Sequence, residues 1–115
     1  MLVRLDLEGG PLFEQIAASV RADLLSGRLR PGDRLPAARE VADAIEVNVH
    51  TVLRAYQELR SEGLLDLRRG RGAVVSASAG PLAELADDIS KLIARGAELG
   101  VSASTIAALI KERAQ

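Results

Sequence analysis

Segment 35–75 sets two short amphipathic helical stretches, joined by a tight polar link, ahead of a hairpin of arginine and glycine (Arg68, Arg69, Gly70, Arg71, Gly72). Few folds accommodate that order. In the first stretch Val41, Ala42 and Ile45 share a face. In the second, Val52, Ala55, Tyr56 and Leu59 recur at three- and four-residue steps, which places them on one stripe of an α-helix. The runs 65–67 and 73–75 are β-prone, and the glycines between them permit positive φ, the pattern of a hairpin. Helix, turn, helix and basic ribbon together suit a protein that lays one helix in the major groove of DNA, about 12 Å wide, and braces it with a wing.

The flanking sequence extends this plan. Val3, Leu5 and Leu7 alternate with Arg4, Asp6 and Glu8, which predicts a short strand before Gly9, Gly10 and Pro11. A helix follows on Phe13, Ile16, Ala17, Val20 and Leu24, with Gly27 where a left-handed cap belongs, and Arg30, Pro31, Gly32 and Asp33 make a turn. The next helix starts around Pro36 and Ala37 without a Ser or Asp cap, whereas Asn48 supplies a good N-cap for a third helix that runs to about Glu62 and stops at Gly63. After a small-residue linker at 76–80, Leu82, Leu85, Ala86, Ile89, Leu92 and Ile93 form a helical stripe that Gly96 and Gly100 end. Ser102 then caps a last helix whose apolar face is Ile106, Leu109 and Ile110. The predicted fold is mainly α with a small β-wing. A winged helix-turn-helix occupies 1–76, and a two-helix dimerisation tail occupies 77–115.

Composition removes most chemistry. There is no cysteine and one histidine, and the acids adjoin only at Asp87 and Asp88, so no catalytic triad or metal site assembles; neither an enzyme nor a cofactor is expected. Gly70 and Gly72 lack the Lys followed by Ser or Thr that a phosphate loop needs. Apolar residues make up 48% of the chain but aromatics only 2%, Phe13 and Tyr56, so the core is aliphatic. No run of about 18 apolar residues spans a membrane, and the first ten residues do not read as a signal peptide. A cytoplasmic protein with no membrane partner is expected.

The formal net charge of −1 does not advertise a nucleic-acid partner, but its distribution does. Residues 28–39 hold four arginines against one acid, Asp33, and 67–72 hold three arginines against none. Crowded like charges in a turn repel unless an anion lies nearby. The outward face of the third helix carries His50, Arg54, Gln57 and Ser61, with Thr51 and Leu53 at its flanks and Glu58 at its edge. Arg39, in the first turn of the second helix, either reaches a phosphate or guanine edge or pairs with Asp43 one turn on.

These residues match a family pattern. Pro11, Leu12, Phe13, Gln15 and Ile16, then Gly27, Leu29, Pro31, Gly32, Leu35, Pro36, Arg39 and Glu40, then Thr51, Val52, Arg54, Ala55, Leu59, Gly63, Leu64, Arg69, Gly70, Gly72 and Val75 resemble the N-terminal winged helix of GntR-type bacterial transcription regulators. The short tail is similar to that of the YtrA-type subgroup. The resemblance implies a sequence-specific DNA-binding regulator, a repressor, whose operator contacts fall on Arg39, on Asn48, Val49, His50 and Thr51 at the start of the recognition helix, and on the wing at Gly70 and Gly72. Arg54, Arg68, Arg69 and Arg71 complete the expected set. The chain departs from the family at Ala37, where serine is frequent, at Val49, where arginine is frequent, and at Val74, where the wing carries an aromatic.

Residues 80–115 number 36, fewer than the roughly 40 that fold alone without staples. Leu82, Leu85, Ile89, Leu92, Ile93, Ile106, Leu109 and Ile110 are therefore expected to pair with the same segment of a second chain, giving a two-fold dimer on a palindromic operator. Two other readings stay open: a winged-helix module for protein association, and a sensor that binds a small-molecule effector at the dimer interface.

Overall fold

The structure, a computed structural model, describes residues 5–6, 8–70 and 72–114. The chain divides into two compact units, Met1–Ala83 and Glu84–Gln115.

The first unit contains α1 (Leu12–Leu25), α2 (Ala38–Ile45) and α3 (Val49–Ser61), followed by β1 (Leu65–Arg68) and β2 (Gly72–Val75). The aliphatic stripes read from the sequence meet in one core: Ile16, Val20 and Leu24 from α1, Val41 and Ala42 from α2, and Val52, Ala55, Tyr56 and Leu59 from α3. Local chemistry fixes where the helices begin and end. The Asn48 Oδ1 accepts from the His50 amide at 2.8 Å and opens α3. Gly27 and Gly63, both at φ +80°, reverse the chain after α1 and α3. Among the described residues only Glu46 adopts a positive φ without being glycine (56°), and it ends α2 where the link to α3 is tightest. α2 begins at Ala38 with no side-chain cap, and its approach is held from outside instead: the Tyr56 hydroxyl donates to the Pro36 carbonyl at 2.8 Å.

β1 and β2 pair antiparallel from Leu65↔Val75 to Arg68↔Gly72. The expected turn at 30–33 forms, with Asp33 N donating to Arg30 O at 3.0 Å, and it leads into a third rung absent from the sequence reading. Arg34 bridges Val74 on the free edge of β2, with Leu35 N to Ala73 O at 2.9 Å and Val75 N to Asp33 O at 2.8 Å. A bridge this short carries no alternation of its own, so no local signal marks it.

Three sequence expectations need revision or fall outside the described residues. The segment 76–80 is not a loose linker: Ser76 and Ala79 are buried, and the Ser76 and Ser78 hydroxyls both donate to the Gly63 carbonyl, at 2.5 and 2.6 Å. The chain then winds as a 3₁₀ segment, Ala77–Leu85, and Leu82 is half-buried against the first unit's core. Of the N-terminal strand, Val3 and Leu7 lie outside the described residues, while Leu5 is irregular backbone packed on the core.

The second unit holds α4 (Ala86–Glu98) and α5 (Ala103–Arg113). Gly96 does not end α4, which continues to Glu98 and stops at Gly100 (φ +75°). Gly96 serves packing instead. A Cβ there would lie 2.5 Å from Ile106 Cδ1 and 3.0 Å from the Val101 carbonyl oxygen, so its hydrogen makes room for α5. Ser102 caps α5 as expected, accepting from the Thr105 amide at 3.2 Å.

Candidate nucleic-acid interface

The α3 stripe that packs into the core leaves His50, Arg54 and Gln57 exposed on the other side, with Thr51 half-buried at one flank. Asn48 spends its side-chain oxygen on the helix start, which fixes the direction of the first turn and hence of His50. Val49 faces differently: it is half-buried against the core, because its position lies between the buried and exposed arcs. Leu53 is 38% exposed and places an apolar side chain beside the polar face.

Arg39 stands exposed in the first turn of α2. The alternative pairing with Asp43 does not form, and among the described residues Arg39 has no ion-pair partner. Arg54 is placed by an aromatic. Its guanidinium carbon lies 3.8 Å from the centroid of the Phe13 ring, in the first turn of α1. A shallow depression lined by Leu12, Phe13, Asn48, His50, Thr51 and Arg54 runs between the starts of α1 and α3.

In the wing, Arg69 and Gly70 form the turn and Gly72 opens β2, with φ +80° and +69° at the two glycines. Both values lie where a side chain is strained, and no heavy atom lies within 4 Å of either missing Cβ, so the constraint is backbone conformation rather than space. Arg68 lies 3.6 Å from Asp66 on the same strand and is partly neutralised. Arg71 lies outside the described residues. The carboxylate at the far end of α3 is also occupied: Glu62 accepts from Arg21 Nε at 2.8 Å and from a terminal nitrogen at 2.5 Å. Those hydrogen bonds raise the Arg21 pKa against the lowering effect of burial. Arg39, Arg54 and Arg69 are all exposed and make no ion pair among the described residues. Among the described residues no three His, Asp or Glu side chains group as metal ligands.

The fold and this surface have counterparts. Residues 12–75 match the family of bacterial regulatory proteins called gntR. The chain belongs to the GntR family. Its members are regulators rather than enzymes, and the winged helix anticipated from segment 35–75 is theirs. This GntR chain is 35% identical, over 108 residues, to the HTH-type transcriptional repressor YtrA of Bacillus subtilis (strain 168), an alignment that spans 89% of this chain and 83% of that one. In structure it is similar to a GntR family transcriptional regulator from Listeria monocytogenes, with TM-score 0.67, 29% identity, and coverage of 94% and 98%. It is also similar to the DNA-binding domain of AraR in complex with operator ORE1, with TM-score 0.56, 26% identity, and coverage of 66% and 94%.

Phe13, which the sequence places on the apolar stripe of α1 and within the family pattern, was not among the expected DNA-contact residues, yet it lies against Arg54. Nothing in the spacing announced that it meets Arg54. Of the expected dimerisation residues, Leu85, Ile89, Leu92, Ile93, Leu109 and Ile110 are 40–56% exposed on the second unit, and Leu99 at 65% adds to them. Ile106 is instead half-buried beneath Gly96.

Proposed function

We propose that this DNA-binding transcription regulator is a homodimeric repressor that sets α3 in the major groove of each half of a palindromic operator. The observation that carries the reading is the exposed polar arc of α3, His50, Arg54 and Gln57, together with Arg39 and Arg69, which are exposed and make no ion pair among the described residues. Phosphates are held by Arg39, Thr51, Arg54, Arg68 and Arg69, and His50 with Leu53 approaches base edges, the leucine against thymine methyl groups. Asn48 and Val49 set the first turn of α3, and Gly70 and Gly72 let the wing backbone come close to the duplex. Arg71 belongs to the same basic turn by sequence. The Bacillus subtilis relative is named a repressor and the AraR domain is bound to an operator, which supports both the partner and the direction of control. The regulator acts in the cytoplasm. No single described helix is long and apolar enough to cross a membrane.

Burial supports the dimer. In the second unit Gly96 is the one buried residue among those described, while six of the eight expected contact residues stay 40–56% exposed, so the unit has no core of its own to hold α4 and α5 folded. A second copy supplies it. Half-sites then lie about one turn, roughly 34–36 Å, apart.

Selection of bound DNA from a random pool tests the reading: a palindromic consensus is expected, and a pool with no enriched sequence overturns it. Salt separates it from a protein-association module. DNA affinity falls by orders of magnitude between about 50 and 200 mM salt when six or so phosphates are neutralised. Sedimentation showing only monomer at micromolar concentration would remove the dimer.

A further inference from the structure

Resting on the DNA-binding reading above, we infer that Phe13 is a positioning residue for the operator complex: its ring holds the Arg54 guanidinium flat at the mouth of the α1–α3 depression, so that the guanidinium edge meets a backbone phosphate. The ring and the guanidinium carbon are 3.8 Å apart, which is stacking distance. A guanidinium has two kinds of surface. Its faces are poorly hydrated and lie readily on an aromatic ring, while its five N–H donors point outward in the plane and match a phosphate bidentately. Stacking on Phe13 therefore occupies a face and leaves the edges available. Arg54 has no carboxylate partner among the described residues, and its neighbours in the depression, His50, Thr51 and Asn48, carry no negative charge.

The gain is one of order before binding. A free arginine loses most of its rotamer freedom when it grips a phosphate, whereas one already laid on a ring has lost part of it in the unbound protein. Phe13 is half-buried and packed against the core, which limits how far its ring can follow a wandering guanidinium, and Arg54 is held to α1 rather than swinging free. This ties the first turn of α1 to the reading helix through a side chain that never needs to touch DNA.

The test compares full-length wild type, Phe13→Leu, Phe13→Tyr, Arg54→Ala and Phe13→Leu/Arg54→Ala by titration on the selected operator across a salt series, with thermal unfolding of each. Phe13→Leu keeps an apolar side chain on the core and removes the ring. It is expected to bind about 3- to 30-fold more weakly, the range of a stacked cation. Arg54→Ala, which removes the cation itself, should shrink the slope of log affinity against log salt by about 0.9, whereas Phe13→Leu keeps the cation and should hold the wild-type slope. Phe13→Tyr should restore the affinity. The double substitution should bind no worse than Arg54→Ala, because Phe13 acts only through Arg54. Full affinity in Phe13→Leu overturns the inference, as does a Phe13→Leu loss that persists on the Arg54→Ala background or tracks only a fall in unfolding temperature. Failure of the wild type to bind any DNA overturns the underlying reading instead, and the two failures are distinguished by the wild-type titration.

Discussion

The Tyr56 hydroxyl, on the buried face of α3, donates to the carbonyl of Pro36 across 2.8 Å and so pins the chain that enters α2. Because α2 has no capping side chain of its own, this bond sets where Arg39 stands relative to the reading helix. Tyr56→Phe leaves the ring in the core and strips the donor. It should cost about 1 kcal/mol of stability, more if the Pro36 carbonyl stays dry and unpaired, as read by urea unfolding.

The same hydroxyl gives a pH signature. Burial, with the Glu40 carboxylate adding to it, pushes the Tyr56 pKa up to about 12 from an ordinary value of 10.0. The folded chain holds this proton more tightly than the unfolded chain does. The contribution is therefore full below about pH 10 and is lost as pH rises toward about 12. Tyr56 is the only tyrosine, so the difference between wild type and Tyr56→Phe isolates it. Wild type should lose more stability than the variant between about pH 9 and pH 11. Parallel losses would show that the hydroxyl has the same pKa in the folded and unfolded chains.

Asn48 separates capping from charge. Asn48→Ala removes the oxygen that receives the His50 amide and should cost about 1 kcal/mol of stability. Asn48→Asp keeps an acceptor and favours the positive end of the helix dipole, so the fold should hold. It also brings a carboxylate to the DNA side of the depression, and operator affinity should drop while the unfolding midpoint does not.

Arg39→Ala should weaken operator binding by about 1–3 kcal/mol and leave the unfolding midpoint in place, since this side chain makes no ion pair within the described residues. Equal binding by the variant would take Arg39 out of the interface.

Gly96→Ala decides between two opposed effects. Alanine is the better helix former by about 1 kcal/mol. Its Cβ, however, would meet Ile106 Cδ1 at 2.5 Å and the Val101 carbonyl at 3.0 Å, and the backbone atom cannot swing away. Overpacking of this kind costs about 1–3 kcal/mol, so the net sign is destabilising. Under the proposed dimer, sedimentation should show a larger monomer fraction, and Gly96→Ala/Ile106→Val should recover only the part due to the isoleucine tip.

Sequence alone determined the parts of this protein that depend on backbone groups within a turn of one another. Asn48 opens α3, Gly27 and Gly63 close α1 and α3, and Gly70 with Gly72 turns the wing, because each satisfies or bends the chain locally. The aliphatic periodicity likewise named the core, since a helix buries residues three and four apart whatever it packs against. Tertiary structure decided the rest. Arg34 pairing with Val74, Ser76 and Ser78 tying to the Gly63 carbonyl, and Arg54 lying on Phe13 join residues far apart in the chain, and they exist only once the elements are mutually placed. Gly96 shows the difference most clearly. A glycine late in a helix reads locally as a stop, and only the approach of Ile106 makes it a gap for the next helix.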